Sequence, residues 1–236
     1  MGLERLDKIL AGSGRYTRSQ ARRAILSGAV TVDGTPVRRP EAKVDRAARI
    51  EAQGQIIDGA EFVYYMMNKP LDVICATEDG AWPAVTGLLP GHLRARGLFP
   101  VGRLDADVTG LLLLTDDGAF AHRVTAPRSE IRKVYEVRTD GPLGPADVRR
   151  LGAGVTMPDG TAYRPALLQI DGADPARALV TVTEGKYHEV KNLIAACGRR
   201  VLAMRRVAIG GLGLDESLGP GEVRSIGNDE IASIFL

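Results

Sequence analysis

Long apolar runs are missing from this 236-residue chain: the longest purely aliphatic stretch is Leu111 to Leu114, far short of the roughly 20 residues that a membrane-spanning helix requires. No membrane association is expected. The opening MGLERLDKIL sets charges where a secretory leader carries its apolar stretch, so a cytoplasmic setting is expected. Cysteine is scarce too. Cys75 and Cys197 stand far apart with no CxxC spacing and read as reduced, buried thiols. Histidine is almost as rare, and the scattered His92, His122 and His188 are too thin a set for a metal site. Familiar cofactor machinery is absent: there is no P-loop, no strand-linked GxGxxG, no HExxH and no GxSxG. The late GGLGLDESLGPG is glycine-rich but lacks a Lys and a following capped helix, so it reads as loop packing. An enzyme of this composition is expected to work with side chains alone, without cofactor or metal.

An excess of one charge is also lacking overall, since the net charge is +2. Its distribution is uneven. Residues 1–49 hold 11 Lys and Arg against 5 Asp and Glu, which leaves 20 against 24 for the rest. A basic segment at one end suits a polyanionic partner, or it is a solvated surface with none; charge alone leaves both open.

The basic segment reads as two short helices and a hairpin. Leu3, Leu6 and Leu10 have helical spacing that Gly12 and Gly14 interrupt. Thr17-Arg18-Ser19-Gln20 announces a second helix, with a Thr to cap and a Gln three residues on to return the hydrogen bond. That helix is expected to end at Gly28, with Arg18, Arg22 and Arg23 outward and Ala21, Ala24 and Ile25 inward. In AVTVDGTPV, Val30 and Val32 alternate, and Asp33-Gly34 supplies a tight turn. RLDKIL, YTRSQARRAILSG and VTVDG together resemble the S-four-like RNA-binding domain, first known from a small-subunit ribosomal protein. The resemblance implies that Arg15, Arg18, Arg22 and Arg23 grip structured RNA, with backbone phosphates supplying most of the affinity.

After the linker EAQGQIIDGAE come strand-like runs: FVYYMM, LDVICAT, TGLLLLT, KVYEVRT, ALLQID and ALVTVTEG. Helical segments are expected at about Pro145 to Leu151 and His188 to Cys197. Many short strands with few helices argue for an α+β chain: a small N-terminal module over 1–59 and a larger domain over 60–236 with a mixed, largely antiparallel sheet.

FPVGRLDADVTGLLLLTDDG places Asp105 and Asp107 in a turn-like passage ahead of a very apolar strand, at the rim of a core element. On composition it is a solvated loop. GRLD followed by TGLLLLTDDG resembles the central motif of the ribosomal-RNA pseudouridine synthases of the RsuA type, which implies that Asp105 is the catalytic residue. KVYEV resembles that family's K-x-Y motif, so Tyr135 would pack against the target base, with Lys133 nearby. EGKYHEVKNLIAACG resembles a later motif, commonly EG(R/K)YHQVKRM, whose basic residue pairs with the catalytic Asp; here that is Lys191. Glu189 and Asn192 depart from the usual residues.

The chemistry suits these roles. Uracil delocalises the negative charge it takes on leaving the sugar, so one carboxylate suffices where a glycosidase needs two. Asp105 acts as nucleophile on the sugar or as base for a sugar proton. Burial penalises a carboxylate's charge, so an adjacent cation is required; Lys191 lies at the flank of the stripe formed by Val190, Leu193, Ile194 and Cys197. Arg103 could fill the space left by an extruded base or hold a phosphate, and His188 joins the RNA-binding candidates. On spacing alone Asp107 remains a rival carboxylate. The YH of EGKYHEVK together with the glycine-rich tail looks more like small-subunit (16S) than large-subunit (23S) enzymes. The expected partner is ribosomal RNA or a pre-ribosomal particle, met by a monomer. A noncatalytic ribosome-assembly protein on the same fold, and an N-terminal module for protein contacts, are the competing readings.

Overall fold

The structure, a computed structural model, describes residues 2–78, 82–126 and 128–236. The chain divides into two compact units: one runs up to Val63 and includes Leu89–Phe99, and the other holds Tyr64–Leu88 and Pro100–Leu236.

The first unit contains β1 (Leu3–Arg5), α1 (Leu6–Gly12), α2 (Arg18–Leu26), β2 (Val30–Val32), β3 (Thr35–Pro36), β4 (Lys43–Asp45), β5 (Ile50–Ala52), β6 (Gln55–Ile57) and α3 (Gly91–Arg96). Strands β3-β2-β5-β6 form one sheet, and β1 pairs with β4. Leu3 is therefore not helical as its spacing predicts. It lies exposed in β1, opposite Asp45, and α1 begins at Leu6. The capping box of α2 is present: the Thr17 hydroxyl accepts from the Gln20 amide at 3.2 Å and Gln20 Oε1 accepts from the Thr17 amide at 2.8 Å. Two amides that a helix start leaves unpaired are thereby satisfied. The helix stops at Leu26, just short of Gly28. Asp33 and Gly34 both adopt left-handed backbone, with φ of 50° and 79°, as a two-residue hairpin of the right twist demands. Leu6, Ile9 and Leu10 of α1 meet Ala21, Ala24 and Ile25 of α2 over Val30, Ile50 and Ile57; each large side chain contributes about 1.5–3 kcal/mol on full burial.

Farther along come β7 (Tyr64–Lys69), β8 (Phe99–Val101), β9 (Val108–Thr115), α4 (Gly118–Thr125), β10 (Lys133–Thr139), α5 (Pro145–Gly152), β11 (Val155–Thr156), β12 (Ala162–Tyr163), β13 (Leu167–Ile170), β14 (Arg177–Val182), α6 (Glu189–Ala196), β15 (Val201–Ile209), β16 (Leu212–Gly213), β17 (Val223–Ser225) and α7 (Asn228–Ser233). The nine-stranded sheet has the order β13-β14-β10-β15-β9-β7-β17, with β8 and β16 off this path. Along the path only β15 and β9 run parallel, so the sheet is mixed and largely antiparallel. Leu111 to Leu114 are at most 1% exposed, which means that both faces of β9 are covered and explains its unbroken apolar run. On one face Leu111 and Leu113 pack with Met66, Phe120, Ile209 and Ile234.

Two sequence expectations need correction. LDVICAT is not a strand: it makes one isolated bridge, Ile74 to Ala84, because its backbone loops out beside the Asp105 turn, where the Asp72 amide donates to Ala106 O at 2.9 Å. Conversely VLAMRRVAI, unmarked as a strand because Arg205 and Arg206 interrupt its apolar pattern, is β15 and sits between β10 and β9. Among the described residues no helix is long and apolar enough to cross a membrane.

Candidate active site

Asp105 lies in the turn between β8 and β9. Gly102, at φ 76°, bends the chain away from β8, and the Val108 amide donates to Asp105 O at 3.1 Å, closing the turn into β9. Lys69, fully buried at the end of β7, supports this turn from within by donating to Val108 O at 2.8 Å and Pro70 O at 2.9 Å. Burial pushes its ammonium down from the usual lysine value. The Leu104 amide is held by Cys75 Sγ at 3.2 Å, and burial pushes that thiol up.

Helix α6 brings the cation. Val190, Leu193 and Ile194 are buried and leave Lys191 at the flank, where its Nζ lies 3.0 Å from Asp105 Oδ2 and 2.7 Å from Asp107 Oδ1. Burial alone would lower the Lys191 ammonium, but the hydrogen bonds to Asp107 and Asp105 outweigh it and the net shift is upward. Burial would likewise raise Asp107, and the same lysine reverses that, so its carboxyl titrates below the usual value. His188 precedes the helix in left-handed backbone (φ 52°), stacks on the Tyr187 ring at 3.8 Å between centroids and sets its Nε2 3.4 Å from Asp105 Oδ2.

Asp105, Arg103 and Tyr135 line one cavity of about 240 Å³, with Val108, Val182 and Met204 as its apolar walls. Tyr135 is 9% exposed. The Arg206 guanidinium lies 6.0 Å from the centre of its ring, held by a 2.8 Å hydrogen bond from Nε to Leu111 O. Such a space, apolar and ringed at one edge by a carboxylate and cations, suits a planar heterocycle attached to a polar backbone.

Of the residues singled out from the sequence, Asp105, Tyr135, Lys191, Arg103 and His188 share one neighbourhood. The Lys133 amine instead donates to Ile131 O at 3.0 Å and Glu184 O at 3.1 Å. In the first unit Arg18, Arg22 and Arg23 are exposed on α2; Arg22 leans to 4.0 Å from the buried Asp7, which Arg5 holds at 2.8 Å. Arg15 donates to Gln55 Oε1 at 2.9 Å. Asn192 donates to the Tyr163 hydroxyl at 2.7 Å. Lys69 and Arg206 escaped the sequence analysis, since the one signal of either is a charge inside an apolar strand.

A basic module joined to a mixed sheet with this side-chain cleft defines an RNA-modifying enzyme as the class of protein. Residues 63–196 match the RNA pseudouridylate synthase family, and residues 4–50 match the S4 domain. The chain is 39% identical over 231 residues to the uncharacterized RNA pseudouridine synthase YtzG of Bacillus subtilis strain 168, with 96% of each chain covered. It is 38% identical over 234 residues to the ribosomal small subunit pseudouridine synthase A of Yersinia pestis, covering 98% of this chain and 97% of that one. A crystal structure of a pseudouridylate synthase is similar at a TM-score of 0.69 and 35% identity, covering 98% of this chain and 99% of its own. The chain belongs to the RNA pseudouridylate synthases, isomerases that convert uridine in RNA to pseudouridine.

Proposed function

We propose that this protein isomerises one uridine of small-subunit (16S) ribosomal RNA, in free or pre-ribosomal form, acting in the cytoplasm as a monomer with Asp105 as its catalytic carboxylate. The observation that carries the assignment is Asp105 Oδ2 at 3.0 Å from Lys191 Nζ, on the wall of the cavity that Tyr135 also lines. Similarity along nearly the whole chain to a small-subunit enzyme supports the choice of RNA. On this reading residues 1–59 hold the RNA, with α3 joined to them, and 60–236 carry the chemistry.

The target base is drawn out of its stack at a cost of a few kcal/mol and rests on the Tyr135 ring, while Arg103 and His188 hold neighbouring polar groups. The bond from the sugar C1′ to N1 breaks, the uracil turns, and a bond from C1′ to C5 forms; C5 releases its proton and N1 takes one up. Asp105 acts at the sugar, as nucleophile or as base, and Lys191, 3.0 Å from its Oδ2, orients the carboxylate. Arg15, Arg18, Arg22 and Arg23 contact phosphates. The test is Asp105→Asn assayed on 16S ribosomal RNA. Turnover is expected to fall by about 10³-fold or more with RNA affinity retained, and full turnover refutes the assignment.

A further inference from the structure

Glu189, the first residue of α6, lines the same cavity as Asp105 and Tyr135 and has no part in the chemistry at the sugar. The residue is 5% exposed. Its Oε2 accepts from the Lys186 amide at 3.2 Å, and its other oxygen has no hydrogen-bond partner among the described residues. This oxygen is not among the fully buried polar atoms left unpaired, so it stays accessible on a residue that lines the cavity, where a donor from a bound ligand can reach it.

The geometry of the reaction says which donor. A detached uracil that exchanges N1 for C5 turns about the line through N3 and C6. O2 and O4 then change places, whereas N3 and its hydrogen stay where they were. An acceptor aimed at N3–H is therefore the one edge contact that survives the whole turn. It also distinguishes uracil from cytosine, whose N3 presents a lone pair.

We propose that Glu189 accepts a hydrogen bond from the N3–H of the extruded uracil and serves as the fixed point about which the detached base turns. The proposal rests on the cavity being the uridine site. Charges around the carboxyl are mixed: Lys133 on β10 and Lys186 favour its ionised form and Glu184 opposes it, while Arg103, Asp105 and His188 face the same space. Burial raises the Glu189 carboxyl above its usual value.

Two measurements test this. In wild type, uridine monophosphate is expected to bind at least about 10-fold more tightly than its 3-methyl derivative, which lacks the N3 hydrogen. On ribosomal RNA, Glu189→Leu is expected to lower kcat by about 10- to 100-fold with little change in KM, since the RNA is held elsewhere. Glu189→Gln, which keeps an acceptor oxygen, recovers most of that loss. Equal binding of the two nucleotides by wild type, a Leu variant that turns over at the wild-type rate, or a Gln variant as slow as the Leu variant overturns the proposal. Asp105→Asn, run alongside, keeps the nucleotide preference while losing turnover. If it keeps turnover, the catalytic assignment fails, and the nucleotide preference still judges Glu189.

Discussion

Lys191 holds two carboxylates at once, 3.0 Å from Asp105 and 2.7 Å from Asp107, and this sharing sets the electrostatics of the cleft. Lys191→Met is expected to cut turnover by about 10²-fold, measured on ribosomal RNA; an unchanged rate rejects the role. Its effect on stability has a defined sign. Asp107 titrates below its usual 3.8, so the pair stabilises fully above that value and loses its contribution as pH falls through the lowered one. Lys191 titrates above its usual 10.5, so the contribution persists through neutral pH and is lost as pH rises through the raised value. Melting curves should show a gap between wild type and Lys191→Met that is flat near neutrality and closes on acidification. It should be below about 1 kcal/mol, because the Asp107 side chain is 68% exposed and solvent screens the pair. At this scale Asp105, Tyr135 and Lys191, which the structure brings together, could be singled out as candidates because each sits in a short ordered motif. Lys69, Arg206 and the free oxygen of Glu189 were not, since no local pattern records what a side chain meets once buried.

The parallel pairing of β9 with β15 depends on Gly110. Its φ is 99°, and a Cβ there would stand 2.3 Å from Arg206 O and 2.9 Å from Arg206 N, both backbone atoms. Gly110→Ala is therefore expected to destabilise the protein by about 3 kcal/mol or more, read as a lowered melting temperature; a melt within error of wild type would show that the two strands can part without cost. Elements with local grammar were readable in advance. Helix α2 starts at its capping box, and KVYEVRT is β10 residue for residue. Strand β15 was not readable, because burial of Arg206 is possible only where Leu111 O and the Tyr135 ring receive it. Nor was the grouping of α3 with the N-terminal module, which rests on the close approach of Gly14 to the backbone of His92 and Arg96.

For the molecule as a whole, the proposed function gives grip and chemistry to different parts of the chain, and salt should separate them. Phosphates neutralised by arginine release their counterions, so replacing Arg18 and Arg23 together by Ala should shallow the slope of log affinity against log salt by about 0.9 for each duplex phosphate left without its cation. RNA titrations at several ionic strengths measure it, kcat should hold while KM rises, and an unchanged slope removes α2 from the interface. The uneven charge along the chain pointed to this division, but only in outline. By itself the sequence determined the order of helices and strands with local signals, the basic character of one end and the candidates for the chemistry, because capping, alternation and motif spacing are properties of neighbours. Only the tertiary structure decided that Lys191 serves two aspartates, that Arg206 and Lys69 are buried beneath the cleft and that Glu189 keeps an oxygen free. Those facts depend on desolvation and on partners that arrive from distant segments.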